Sequence, residues 1–401
     1  MLFNKFKLTN LWLLVAFIFA ALAISPIFIV SRTRSIIFIF CFFILVIIMS
    51  RRKKLPSFTA QIFYLSFLLS SSISAMYWGN FKYMFYPLIL IMGISIIKVS
   101  KNNEIISLVK IITLFFVFLL SGALIAFVFG LLGGEPFFSF PNPDGRPNFF
   151  YPFSLSNANY LVVQPSGIYD EPGAFSFFIC SLAASRHILR MNKSVTWFIL
   201  GLGMVTLSFA HVAYMSIHIL SEIIEKSRNM KILWRVIVSV FLVTLLISAA
   251  SSEIQNKIYA RFLYRFTYSD ISGLAGLETR YNLTNAGIEM IQKGGVKTLL
   301  FGIDPNILEK EGTKAADAPL GPIEQGGLLV SWPHYLIMLS LLTISIFAIF
   351  KNDHKRYFIC LGIAALLLQR PVSMATSYSF WSVLPIFLYF SKTKIDIYLQ
   401  R

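Results

Sequence analysis

Asp170 and Glu171 form a carboxylate pair where a loop gives way to a long apolar segment, in a run from Ser166 to Ser176 that also holds Gly167, Pro172 and Gly173. Pro172 suits the first turn of a helix, because the amide hydrogen it lacks would be unpaired there anyway, and the glycines permit close backbone approach. Glu171 is therefore expected at a helix entrance, facing water beside lipid. There a carboxylate either caps the helix, favoured by its dipole, or does chemistry as a base or orienting group. His334, in the run Ser331 to Tyr335, can take a proton near neutral pH, although a lone interfacial histidine often serves only as a hydrogen-bonding residue. Arg280 opens an amphipathic pattern with Leu283, Ala286, Gly287, Met290 and Ile291 that stops at Gly294 and Gly295. In the first turn of that helix the cation would oppose the dipole unless Glu278 or an external anion answered it. Lys257, Arg261 and Arg265 recur every four residues beside Ile254, Ile258 and Phe262, a basic stripe able to hold phosphates or to rest on anionic headgroups.

The elements that must position these groups lie in a membrane. Hydrophobic residues make up 57% of the 401-residue chain and charged residues 13%, a composition that excludes a soluble domain and makes the whole chain, 1–401, one transmembrane domain. Apolar runs extend from Leu11 to Val30, Ser35 to Met49, Phe58 to Trp78, Phe81 to Val99, Ile105 to Leu132, Pro172 to Leu189, Val195 to Ile224, Ile232 to Ala250, Leu328 to Phe350, Tyr357 to Gln369 and Ser373 to Phe390. The Val195 to Ile224 run is too long for one span and is split at Ser208 to His211, which brings the expected number of transmembrane helices to about twelve. Lys and Arg then collect in alternate connections, at Arg51 to Lys54, Lys98 to Lys110, Arg186 to Lys193, Lys226 to Arg235 and Lys351 to Arg356, so both termini are expected in the cytoplasm. Without the split, Lys351 to Arg356 would face outward.

This layout leaves two long outer loops, 133–169 and 251–327, the larger one partly helical and carrying the basic residues. The first is rich in proline and aromatics and is expected to be irregular, lying on the membrane surface. The formal charge of +17 is largely topological, so nucleic acid is not an expected partner. Cys41, Cys180 and Cys360 are dispersed through apolar runs and read as packing residues. Among the histidines, His187, His218 and His354 fall toward the cytoplasmic side, and His211 is the outward rival of His334. No clustered set of oxygen ligands and no Gly-rich phosphate loop is seen, so neither a metal nor a cofactor is expected.

Taken together, Asp170, Glu171, Pro172 and Gly173 at a helix entrance, Arg280 with the following helix and Leu300, Phe301 and Gly302, and His334, Tyr335 and Leu336 after the large loop resemble the O-antigen polymerase and O-antigen ligase family of polytopic membrane glycosyltransferases. The resemblance runs from about Gln164 to Tyr335 in order and spacing. The ligases usually carry an Arg after Ser at the break near Ser208; this chain has Phe209, which favours a polymerase. The resemblance implies an all-α inner-membrane protein acting at its periplasmic face on a polyprenyl-pyrophosphate-linked oligosaccharide, both as donor and as acceptor. Expected roles are His334 as base, with Glu171 second, Arg280 with Arg261 or Arg265 on the diphosphate, and Lys257, Asp170 and Tyr281 as further substrate contacts. A ligase transferring polymer to lipid A core and a flippase for the same lipid-linked glycan are the alternatives. Whether a polysaccharide chain-length regulator binds is left open.

Overall fold

The computed structural model describes residues 8–21, 28–52, 56–141, 147–156, 163–225, 256, 275–310, 319–350, 359–371 and 376–390. Within them the chain is mostly helical: α1 (Leu8–Ala21), α2 (Phe28–Arg52), α3 (Phe58–Trp78), α4 (Lys82–Val99), α5 (Asn102–Leu131), α6 (Pro172–Ile188), α7 (Lys193–Gly203), α8 (Phe209–Glu225), α9 (Ala275–Phe301), α10 (Pro305–Lys310), α11 (Gly321–Phe350), α12 (Cys360–Gln369) and α13 (Thr376–Phe390). By length and composition, four helices among the described residues can cross a membrane: α3, α4, α5 and α11 over Gly321–Phe347. That is far fewer than the expected twelve. The α1, α7, α12 and α13 helices have 14, 11, 10 and 15 residues, or about 15–23 Å at ~1.5 Å per residue against ~30 Å of hydrocarbon. The Ile232 to Ala250 run lies outside the described residues, as do Lys257, Arg261 and Arg265.

Helix ends follow local chemistry. The α3 helix has the bounds the sequence predicts, because Ser57 accepts a hydrogen bond from the Ala60 amide at its start and Gly79, at φ 61°, closes its end. The run from Leu11 to Val30, read as one span, covers the end of α1 at Ala21 and the start of α2 at Phe28, with 22–27 outside the described residues. The split in the later run is present: α7 ends in a short 3-10 turn at Met204–Thr206, and Leu207 turns the chain at φ 50° before α8.

The first outer loop corrects the all-α expectation. It is not irregular but holds four antiparallel strands in the order β1 (Phe138–Pro141), β2 (Pro147–Tyr151), β3 (Ser154–Ser156) and β4 (Pro165–Gly167). Prolines argued against strands, but three of them stand at strand ends, where a missing donor costs no central ladder bond. The aromatics pair across strands: Phe138 faces Phe150 in register, the rings stacked at 4.9 Å.

At the centre of the fold, α6 is buried on every side from Ala174 to Ile188, contacted by α7, α8 and α13. Even its Arg186, which the charge pattern assigns to topology, is buried. The guanidinium donates to Thr113 Oγ1 at 2.8 Å, Thr196 Oγ1 at 3.1 Å and the Asn192 carbonyl at 3.1 Å. Elsewhere, Arg52 grips Glu104 through two bonds of 2.8 Å, tying the end of α2 to the start of α5.

Candidate functional site

Glu171 occupies the N-cap position of α6 with Pro172 beside it, as the residue types require, yet its side chain makes no capping hydrogen bond. Its carboxylate instead pairs with the guanidinium of Arg370, the residue that closes α12. Gly173 makes the approach possible: a Cβ there would stand 3.0 Å from Arg370 Nε and 3.1 Å from Nη2. Both charged side chains are mostly buried, so the pair is held in a medium that screens it poorly. Immediately before it, Tyr169 is wholly buried and donates to the Ala21 carbonyl at 3.0 Å, anchoring the turn to the end of α1. Burial holds its phenol well above the ordinary range, so it stays a neutral donor. Asp170 is half-buried beside it.

Arg370 is the residue the sequence reading missed, although a signal was there. It is a cation between two apolar runs, in a connection where the expected alternation of charge places few.

The α11 range holds two helical pieces that meet at a kink at Gly327 (φ 63°), so the piece carrying His334 begins at the expected Leu328, with a short piece from Gly321 before it. His334 lies about 10 Å past that bend at ~1.5 Å per residue, wholly buried, its ring edge-on to Tyr335 at 5.0 Å. Arg280 and Tyr281 are in α9, which packs more extensively on α11 than any other helix pair does among the described residues. Arg280 is the sixth residue of α9, not in its first turn, because the helix starts at Ala275; the argument from an opposing dipole accordingly loses its force. The predicted stop at Gly294 and Gly295 is a break within α9, with Gly295 at φ 62°.

The joint between α9 and α11 explains the run Leu300, Phe301, Gly302. A Cβ on Gly302 would stand 2.8–2.9 Å from backbone atoms of Glu324, Gly326 and Gly327, so the two chains meet backbone to backbone. The Ile303 amide donates to the Glu324 carbonyl at 2.8 Å, the Trp78 indole to the Phe301 carbonyl at 2.8 Å and the Tyr83 hydroxyl to the Gln325 carbonyl at 2.6 Å. Glu324, a second residue that the sequence reading passed over, is buried against Gly287, and its Oε1 has no hydrogen-bond partner among the described residues. Gly287 is seven residues from Arg280, two helical turns along the same face of α9.

His211, the rival base, is committed to structure. It is wholly buried, and its Nε2 lies 2.8 Å from the Leu200 carbonyl, which can only accept, so Nε2 carries the proton. Its Nδ1 faces the Cys180 thiol at 3.5 Å. The ring stitches α7 to α8 across their break.

An apolar cavity of about 670 Å³ lies between α5 and the sheet, lined by Phe118, Ile125, Phe138, Phe140, Phe150 and Phe153. Its wall includes Gly167 and Ile168, so it reaches the turn that presents Glu171. The lining is almost wholly apolar, so the space suits an apolar group. No protein-family model and no curated protein matches the chain. The helices then link the residues in one series: α6 with Glu171 contacts α12, whose end is Arg370, α12 packs on α11 with His334, and α11 on α9 with Arg280.

Proposed function

We propose that the protein is a glycosyltransferase of the bacterial inner membrane, a polymerase that joins polyprenyl-pyrophosphate-linked repeat units of a surface polysaccharide at the periplasmic face. The observation that carries this reading is the aromatic-lined apolar cavity whose wall includes Gly167 and Ile168, in the turn that precedes the Glu171–Arg370 pair at the mouth of α6. A substrate with a long isoprenoid tail and a charged, sugar-bearing head matches that combination.

In the proposed reaction the acceptor hydroxyl oxygen attacks the anomeric carbon of the donor, the bond from that carbon to the pyrophosphate oxygen breaks, and the hydroxyl proton passes to His334. The electron pair leaves with the polyprenyl pyrophosphate, whose charge Arg280 receives through its rigid donor fork. One displacement inverts the anomeric centre. Arg370 fixes the Glu171 carboxylate, which in this proposal orients a sugar hydroxyl. Because His334 is wholly buried, an acceptor reaches it only through movement of the helices packed on α11. The twelve-span layout with both termini in the cytoplasm belongs to the same proposal, with the shorter helices completing the crossings in a locally thinned or snorkelling arrangement.

The deciding experiment supplies the purified, reconstituted protein with the polyprenyl-pyrophosphate-linked repeat unit as sole substrate. A product ladder spaced by one repeat is expected. Product only after addition of lipid A core would replace the reading by a ligase, and transfer of the lipid across the bilayer without new glycosidic bonds would replace it by a flippase.

A further inference from the structure

At the opposite end of α6 from Glu171, about 24 Å away at ~1.5 Å per residue, three residues that could not be joined by sequence spacing come together. His187 is in the last turn of α6, and His218 and Glu222 stand one turn apart on α8. All three are buried, and one ligating atom from each lies within 4.8 Å of the others. His187 Nδ1 is 3.3 Å from Glu222 Oε1, the separation of neighbouring ligands about a tetrahedral ion with bonds of ~2.05 Å. His218 Nδ1 is buried with no hydrogen-bond partner among the described residues. The rings of His187 and His218 meet edge to face at 5.1 Å, and Trp197 packs on His218 at the same distance, which limits their reorientation. A cavity of about 180 Å³ adjoins the cluster and leaves room for a water as fourth ligand.

We propose that His187, His218 and Glu222 bind a divalent transition-metal ion of the zinc class. Two imidazoles and a carboxylate are the borderline nitrogen and oxygen donors such an ion selects, and calcium or magnesium would require more oxygens. Lys193 is the built-in competitor. Its Nζ is 2.8 Å from Glu222 Oε2 and supplies the positive charge in the ion's absence, but its side chain is 46% exposed and can leave for water, whereas Glu222 at 2% cannot. Binding the ion therefore means exchanging an ammonium for a metal on a fixed carboxylate. The site would join the end of α6 to α8 and so brace the helix that presents Glu171 at its other end.

The test uses the full-length protein in detergent, stripped with chelator and titrated with Co²⁺, read by its visible d–d absorption, and with Zn²⁺, read by elemental analysis. About one equivalent per chain with a tetrahedral-type Co²⁺ spectrum is expected. His218→Phe, which keeps an aromatic ring among aromatic neighbours, should weaken binding by about 100-fold or more. Lys193→Met should tighten it by about tenfold, since the competing charge is gone. Absence of the Co²⁺ spectrum in both wild type and Lys193→Met, or affinity unchanged by either substitution, overturns the proposal and leaves a Lys–Glu–His ion-pair cluster. Should His218→Phe fail to fold, the sign of the Lys193→Met effect decides alone. None of these readouts depends on glycosyl transfer.

Discussion

At the scale of single residues, the decisive distinction is between groups committed to structure and groups held ready. Glu171 has a capping position without a capping bond and is paired with the Arg370 guanidinium. Arg370→Ala is expected to lower repeat-unit joining by about 100-fold or more in the reconstituted assay, by analogy with loss of one electrostatic stabiliser. Arg370→Lys should recover only part of it, because an ammonium lacks the fork. His211→Phe leaves the Leu200 carbonyl without its donor and should cost about 1–3 kcal/mol in denaturant unfolding, with joining per folded molecule unchanged; His334→Ala should do the reverse. Equal loss of activity in both would make His211 more than a stitch. Tyr169 yields a pH prediction. Its phenol is held up by burial, so the folded state keeps the proton while the unfolded chain releases it near its ordinary value of ~10. Stability that Tyr169 contributes is thus present below about pH 10 and lost above it, and Tyr169→Phe should flatten that alkaline limb in thermal unfolding measured across pH.

At the scale of elements, glycines decide how helices meet. The bend at Gly327 and the contact at Gly302 let α11 and the end of α9 approach through their backbones, and the Trp78 and Tyr83 side chains seal that joint. Gly327→Ala would force a left-handed conformation on a side chain that also meets Leu300 backbone. A loss of about 1–3 kcal/mol or more is expected, seen as a lowered melting temperature. If Gly327→Ala melts like wild type, the joint is softer than its geometry indicates. Most helix bounds were legible in the sequence, because caps and breakers such as Ser57, Gly79, Pro172 and Gly295 act within a turn of where they stand. The sheet was not. Its signal, aromatics that pair only across strands, looks the same in sequence as an interfacial belt.

At the scale of the whole molecule, the apolar composition and four membrane-length helices make this a membrane protein, while the orientation is open to direct measurement. Cys41, Cys180 and Cys360 are buried, so the native thiols should be silent toward an impermeant maleimide. Asn306 and Ser194 are exposed. In intact cells Asn306→Cys should label and Ser194→Cys should label only after permeabilisation; the opposite result would invert the proposed topology. The sequence alone determined the membrane class, the break between α7 and α8, and the helix-mouth position of Glu171. Each depends on composition or on neighbours a few residues away. Only the tertiary structure decided that Glu171 meets Arg370, that His334 is buried past a bend, and that His187 joins His218 and Glu222. Those pairings depend on which helices pack together, and burial in a low-dielectric interior selects partners by distance in space, however far apart they lie along the chain.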